Sequence, residues 1–135
     1  MTDPARRRNI EDALARAAQA LAAADAALGV GSTADAVSRA YYAALHFLRA
    51  LLFARGLDPR THSGAQSLFN QHFVRAGLFP TRTNSLLASL QRLRELADYD
   101  PSMLFDANDA REHITFVRKF GEDARSVLRS EGFPS

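Results

Sequence analysis

The sequence predicts an all-α domain over residues 1–135: an antiparallel up-and-down bundle of four long helices plus one short helix. Three observations carry this expectation. No segment alternates apolar and polar residues at period two with β-branched enrichment, so no strand is expected. Apolar residues instead recur every three or four positions in long stretches. Clear start and stop signals then leave only short connections, which favour antiparallel neighbours.

The first helix starts at Asp3, an N-cap, with Pro4 at the first helical position. Ile10, Leu14, Ala17, Leu21, Ala24 and Leu28 make its stripe, and Gly29 and Gly31 stop it. Ser32 or Thr33 caps the second helix, which runs through Val37, Tyr41, Leu45, Leu48 and Leu52 to Arg55. Gly56-Leu57 resembles a Schellman stop, with Pro59 just beyond. Ser63 with Gln66 reads as a capping box for a short third helix carrying Leu68, Phe69 and Phe73. Gly77-Leu78 repeats the stop, and Pro80-Thr81 opens the fourth helix. Leu86, Leu90, Leu93 and Ala97 form its face, and it ends near Tyr99 because Pro101 disfavours helix at Asp100. Asp106 with Asp109 begins the fifth, through Ile114, Val117, Phe120 and Val127. The tail Gly132-Phe133-Pro134-Ser135 is expected to be loose.

Composition narrows the function classes. At 47% hydrophobic, 135 residues can build a core without extra staples. With no cysteine there is no disulfide and no thiolate metal site. No apolar run approaches the roughly 18 residues of a membrane span. The N-terminus lacks the apolar stretch of a secretory signal, so a soluble cytoplasmic protein is expected, with no membrane partner. Of 17 basic residues only Lys119 is lysine. Arginine's planar fork suits phosphate, but a GC-rich genome, which favours Arg and Ala codons everywhere, is the better account of abundant Arg and Ala. No His-Glu-x-x-His, Gly-rich phosphate loop or nucleophile elbow occurs, so neither metal nor cofactor is expected. Arg6-Arg7-Arg8 fits a solvated terminus.

Three polar groups interrupt the Ala/Leu background. Ser38, Tyr42, His46 and Arg49 share one face of the second helix. Tyr41 lies on the adjacent apolar face, where its hydroxyl needs a buried partner. Tyr42 and His46 either line a groove or form an ordinary boundary stripe. Arg94 and Asp98, four apart, reach each other on the fourth helix. Asp98, Tyr99 and Asp100 fall at a helix C-terminus, where acidic side chains invite a compensating cation. Thr61-His62-Ser63-Gly64 sits at a helix N-terminus, where free N–H groups favour an anion. There His62 adds a titratable donor, and Ser63 is a ligand contact or a plain cap.

Taken in order, Ser-Arg-Ala-Tyr-Tyr-Ala (38–43), His46, Thr-His-Ser-Gly (61–64), Ser67-Leu68-Phe69, His72-Phe73-Val74, Gly77-Leu78, Arg94 and Ala97-Asp98-Tyr99 resemble the HEPN superfamily. The likeness is closest to small stand-alone prokaryotic members and covers about residues 30–125. The resemblance implies a helical bundle, often dimeric, encoded beside a minimal nucleotidyltransferase as a toxin–antitoxin or defence pair. It implies a metal-independent RNase built on Arg, four to six residues, then His. In that chemistry the RNA 2′-hydroxyl attacks, His moves the proton and Arg stabilises the phosphorane charge.

This sequence keeps Arg94 but has Tyr99 five positions later, where that pattern expects His. A phenol is a poor general base at neutral pH, so His62 or His46 would have to supply the proton transfer. Some HEPN toxins are silenced by adenylation of a Tyr near the motif, and Tyr99 occupies a compatible place. The resulting expectation is a catalytic trio of Arg94, His62 and Tyr99, with Tyr42, His46, Ser63 and Asp98 binding RNA or nucleotide phosphate. Two alternatives stand beside it. One is a non-catalytic nucleotide- or protein-binding module that partners a nucleotidyltransferase. The other is a structural adaptor whose polar residues only bond one another.

Overall fold

The computed structural model describes residues 3–99 and 106–135, and within these it is helical with no strand. Helices α1 (Asp3–Gly29), α2 (Thr33–Ala54), α3 (His62–Phe69), α4 (Thr81–Tyr99) and α5 (Ala107–Ser130) follow in order. A π-helical turn, Asn70–Val74, extends α3. No helix among the described residues is long and apolar enough to cross a membrane.

Helix α2 is the central element. Thirteen of its 22 residues are buried, from Ala36 to Ala54, which is the pattern of a helix covered on several sides. Contacts at its two ends set the directions of its neighbours. Arg6, early in α1, comes close to Gly56 just past α2, so α1 runs antiparallel to α2. Phe47 meets Phe120, and Arg55 pairs with Glu131, so α5 runs parallel to α2. Arg94, near the end of α4, lies over Tyr41, while Phe79, just before α4, meets Phe120. That makes α4 antiparallel to α2. The long helices therefore alternate in direction, as the short connections imply.

The stop signals act as the sequence suggests. After α2 the Leu57 N–H donates to the Leu52 carbonyl and Gly56 N–H to Phe53. Leu78 and Gly77 repeat the pattern onto Phe73 and Val74. These are Schellman closures, and Gly56 (φ 72) and Gly77 (φ 81) supply the left-handed residue they need. Asp106 caps α5, its carboxylate accepting from Asn108 N at 2.8 Å. Ser32 holds the N-cap position of α2 without a side-chain cap; its hydroxyl donates to Asp35 instead.

Three expectations change. Thr61, not Ser63, caps α3: its Oγ1 accepts from Gly64 N at 3.0 Å. Ser63 lies inside the first turn, and Gln66, freed from a capping box, donates to Gln91 on α4 at 2.6 Å. The buried stripe of α4 is Thr83, Leu87 and Leu90, with Leu86 and Leu93 only half-buried. The tail is tied down as well: Phe133 packs on the core beneath Arg7, whose guanidinium lies 5.8 Å from the ring centroid. The proposed stop at Asp100-Pro101 lies outside the described residues.

The parallel α2–α5 pair depends on Gly121. A Cβ built there would sit 2.5 Å from two atoms of the Phe47 ring, closer than real contacts allow. Phe47 is itself buried, so the ring cannot swing into solvent. Gly121→Ala should therefore destabilise the fold by about 1–3 kcal/mol, despite Ala's better helix propensity. Thermal unfolding read by circular dichroism checks this, and an unchanged or raised midpoint would refute it.

Candidate functional site

Three helices bring part of the predicted set together. Tyr41 and Tyr42 come from the middle of α2, His62 from the start of α3, and Arg94 and Asp98 from the last turns of α4. Arg94 continues the stripe Thr83–Leu87–Leu90, so its stem points inward while its head reaches the rim. Its guanidinium carbon lies 5.2 Å from the Tyr41 ring centroid and 5.7 Å from that of Tyr42. The two rings meet edge to face at 5.5 Å. Nη1 of Arg94 donates to Asp98 Oδ2 at 2.7 Å, which gives the acidic C-terminus of α4 its cation. The Arg94 side chain is 17% exposed and that of Asp98 48%. Nε of Arg94 is buried without a hydrogen-bond partner among the described residues.

Tyr41 is the hub. It is buried, and its hydroxyl finds the required partner in His62 Nδ1 at 2.8 Å. Burial pushes its pKa up to about 12, against the opposing pull of Arg94, so the phenol stays protonated at neutral pH. His62 is held below its ordinary value, first by burial and then by Arg94 and Arg49. A neutral imidazole against a protonated phenol leaves one proton to bind Oη and Nδ1 together. Which atom carries it decides whether Nε2 of His62 accepts or donates. Beside this pair, Gln66, Gln91 and Glu95 form a hydrogen-bonded chain joining α3 to α4, the second bond measuring 3.3 Å. Glu95 lies close enough to act on both Tyr41 and His62. No sequence pattern marks that chain, because its members are surface-type residues made neighbours only by packing.

Other predicted residues stand apart. His46 lies in a separate cleft of about 390 Å³ between α1 and α2, which Tyr42 also lines. Ser63 is exposed, and the nearby Gly64 N–H is already taken by Thr61. Tyr99 is 86% exposed at the end of α4; its other acidic neighbour, Asp100, lies outside the described residues. A larger cleft of about 600 Å³, lined by Phe79, Leu86, Phe116 and other residues of α4 and α5, includes none of the predicted set. Among the described residues no group of three His, Asp or Glu side chains could hold a metal ion.

These shifts predict a bounded pH range for stability. Burial lowers the pKa of His46, His62 and His113 in the fold. Above about pH 6.5 both folded and unfolded histidines are neutral, and the linkage vanishes. Below it, the unfolded chain takes up protons that the folded chain refuses, so stability falls as pH drops. On the alkaline side Tyr41, raised in the fold, costs stability once the unfolded phenol ionises above about pH 10. Urea midpoints at pH 7.5 and 5.5 should show the acid loss. The combined variant His46→Gln, His62→Gln and His113→Gln should flatten it; equal losses in both proteins would contradict the assignment.

Comparison with known proteins adds relatives. The family model described as HEPN domain matches residues 10–127. A UPF0332 protein of Gloeobacter violaceus is 40% identical over 89 residues, covering 66% of this chain and 71% of that protein. A UPF0332 protein of Pyrococcus horikoshii is 49% identical over 47 residues, 35% of this chain and 33% of that one. A candidate toxin of Methanocaldococcus jannaschii is 38% identical over 65 residues, 48% of each chain. The matched stretches thus span only a third to a half of the latter two proteins.

Proposed function

Because this chain belongs to the HEPN domain family, we propose that it is a toxin-type HEPN protein that binds RNA phosphate at the Arg94 cluster and cleaves RNA without a metal. The observation that carries this reading is the convergence of Arg94, His62 and Tyr42 around the Tyr41 ring, with the arginine head reaching the rim. Relatives designated as candidate toxins support the toxin class.

In this reading the RNA 2′-oxygen forms the new bond to phosphorus as the 5′-oxygen leaves, giving a 2′,3′-cyclic phosphate and a free 5′-hydroxyl. Nε2 of His62 takes the 2′ proton, with Tyr41 holding the ring through Nδ1. Arg94 stabilises the added negative charge on the phosphoryl oxygens. Tyr99, exposed and phenolic, gives its proton to the leaving 5′-oxygen and regains one from water. Tyr42 and Asp98 position ligand and guanidinium. Ser63 adds a hydroxyl at the rim. The working unit is a cytoplasmic homodimer with Arg94 near the shared face, and a minimal nucleotidyltransferase partner adenylates the exposed Tyr99.

One specific observation favours a second reading, a non-catalytic nucleotide- or protein-binding module. Arg94 is already bonded to Asp98 and covered by two rings, and Tyr99 stands where a base is expected. Induced expression separates the two readings. Growth arrest together with EDTA-resistant RNA cleavage, both lost in Arg94→Ala and His62→Ala, supports the nuclease. A folded wild type that does neither supports the module.

A further inference from the structure

The cleft between α1 and α2 is unlike the other polar surfaces of the molecule. Its floor is small: Ala20 and Ala23 of α1 leave room between the helices. Its walls are cationic and hydrogen-bonding, with Arg16 and Gln19 on one side and Arg39, Tyr42 and His46 on the other. Asp12 answers Arg16, at 3.1 Å. Arg39 has no ion-pair partner among the described residues, and neither does Arg49, one turn beyond His46. Of the two arginines that line this cleft of about 390 Å³, Arg16 is answered by Asp12 and Arg39 is not, so the cleft offers an unanswered guanidinium beside hydrogen-bond donors, the chemistry of an anion site. His46 is held neutral there by burial and by the fields of Arg49 and Arg16, so it can donate to a phosphate oxygen without proton uptake.

Position gives the cleft its meaning. Tyr42 belongs to both sites: its ring lies under Arg94 and also lines the cleft. A ligand at Arg94 therefore meets, in Tyr42, a side chain that also lines the cleft. Arg39 and His46, which both line the cleft, are seven residues apart on α2, about 10 Å along its axis, a spacing longer than one small ion. The geometry points to a second phosphate subsite at Arg39, Arg16 and His46, taking a phosphate of the same single-stranded polynucleotide that reaches Arg94 past Tyr42. This rests on the reading of Arg94 as an RNA site.

The test is fluorescence anisotropy with a labelled short 2′-O-methyl oligouridine, which lacks the 2′-hydroxyl nucleophile, titrated at several salt concentrations. Removing one single-strand phosphate contact lowers the log–log salt slope by about 0.7, which is about eightfold in affinity at 50 mM salt. Arg39→Ala should show that loss. Ala23→Trp should match it by filling the cleft without changing charge. Ala22→Trp, an exposed neighbour outside the cleft, and Arg75→Ala, an exposed arginine elsewhere, should bind like wild type. Wild-type binding in both Arg39→Ala and Ala23→Trp, with loss in Arg94→Ala, overturns the subsite and leaves the Arg94 reading intact. Loss in the two cleft variants with no effect of Arg94→Ala on binding or toxicity keeps the subsite and overturns that reading. A wild type that does not bind the oligonucleotide overturns the subsite.

Discussion

Arg94→Ala should slow metal-free RNA cleavage by two to three orders of magnitude while the protein stays folded. On the proposed reading, the rate effect follows from removing a cation that would meet the developing phosphoryl charge; deleting a single preorganised donor of this kind costs about 10²–10³ in rate. The structural effect should be small for three reasons. The bond to Asp98 is an i,i+4 pair on a half-exposed carboxylate, worth a few tenths of a kcal/mol. The two ring contacts add about 0.5–1 kcal/mol each at a partly exposed site. The arginine head sits at the rim, so water can replace it. Arg94→Lys discriminates further. An ammonium keeps the charge but not the planar group that lies across two rings, so it should recover only part of the rate. Cleavage assays in EDTA, paired with thermal melts of each variant, give both numbers. A variant that melts several degrees lower and cleaves normally would make Arg94 a purely structural residue.

The second large effect is on stability. Phe69→Ala should remove about 3–5 kcal/mol, a fifth or more of the roughly 5–15 kcal/mol a domain holds in total. Phe69 is fully buried. Its ring stacks on Phe73 at 5.7 Å, tilts against Phe79 at 5.2 Å and meets Phe120 edge-on at 5.7 Å. One side chain thus ties α3, its π-helical extension, the entry to α4 and the centre of α5 to one another. Phe69→Leu, which keeps most of the volume, should cost distinctly less. Urea unfolding with an unchanged m-value and a lower midpoint is the expected signature; a loss under 1 kcal/mol would mean that the aromatic cluster repacks freely. Since α3 presents His62 to Tyr41, the same variant should weaken function without touching the site.

Much of this architecture is legible in the sequence because its signals are local. Glycine followed by leucine at 56–57 and 77–78 closes helices through bonds spanning six residues, and Asp106 caps α5 from two residues away. The Arg94–Asp98 pair is equally local. Tyr41's need for a hydroxyl partner is also readable, although not the partner's identity. Where several local patterns compete, packing decides. Thr61 and Ser63 are both plausible caps flanking His62, and the Ser63–Gln66 spacing fits a capping box better. Gln66 is claimed by Gln91 across the interface with α4, a partner no spacing rule can see. On α4, consecutive Leu86 and Leu87 offer two stripes a hundred degrees apart. The aromatic cluster and α2 select the one through Thr83, Leu87 and Leu90, and this selection turns Arg94 toward the tyrosines.

The split between His46 and His62 has the same origin. Periodicity places Tyr42 and His46 on one face of α2 and Tyr41 on the next, but it cannot say which neighbour covers which face. With α1 on one side and α4 on the other, one face becomes a cationic cleft and the other a bonded cluster. Tyr42 stands on the seam between them. Sequence reasoning that groups residues by face alone merges the two.

The distribution of aromatic hydroxyls has an optical consequence. The chain has no tryptophan and three tyrosines: Tyr41 and Tyr42 lie within the Arg94 cluster, and Tyr99 stands exposed at the end of α4. Emission excited in the tyrosine absorption band therefore comes from these three phenols, without a tryptophan background. Tyr41 emits from a buried phenol bonded to His62, Tyr42 from the seam, and Tyr99 from water. The molecule carries its own unlabelled reporter, in which an occupant beside Tyr41 and Tyr42 reads out as a change in intrinsic tyrosine fluorescence.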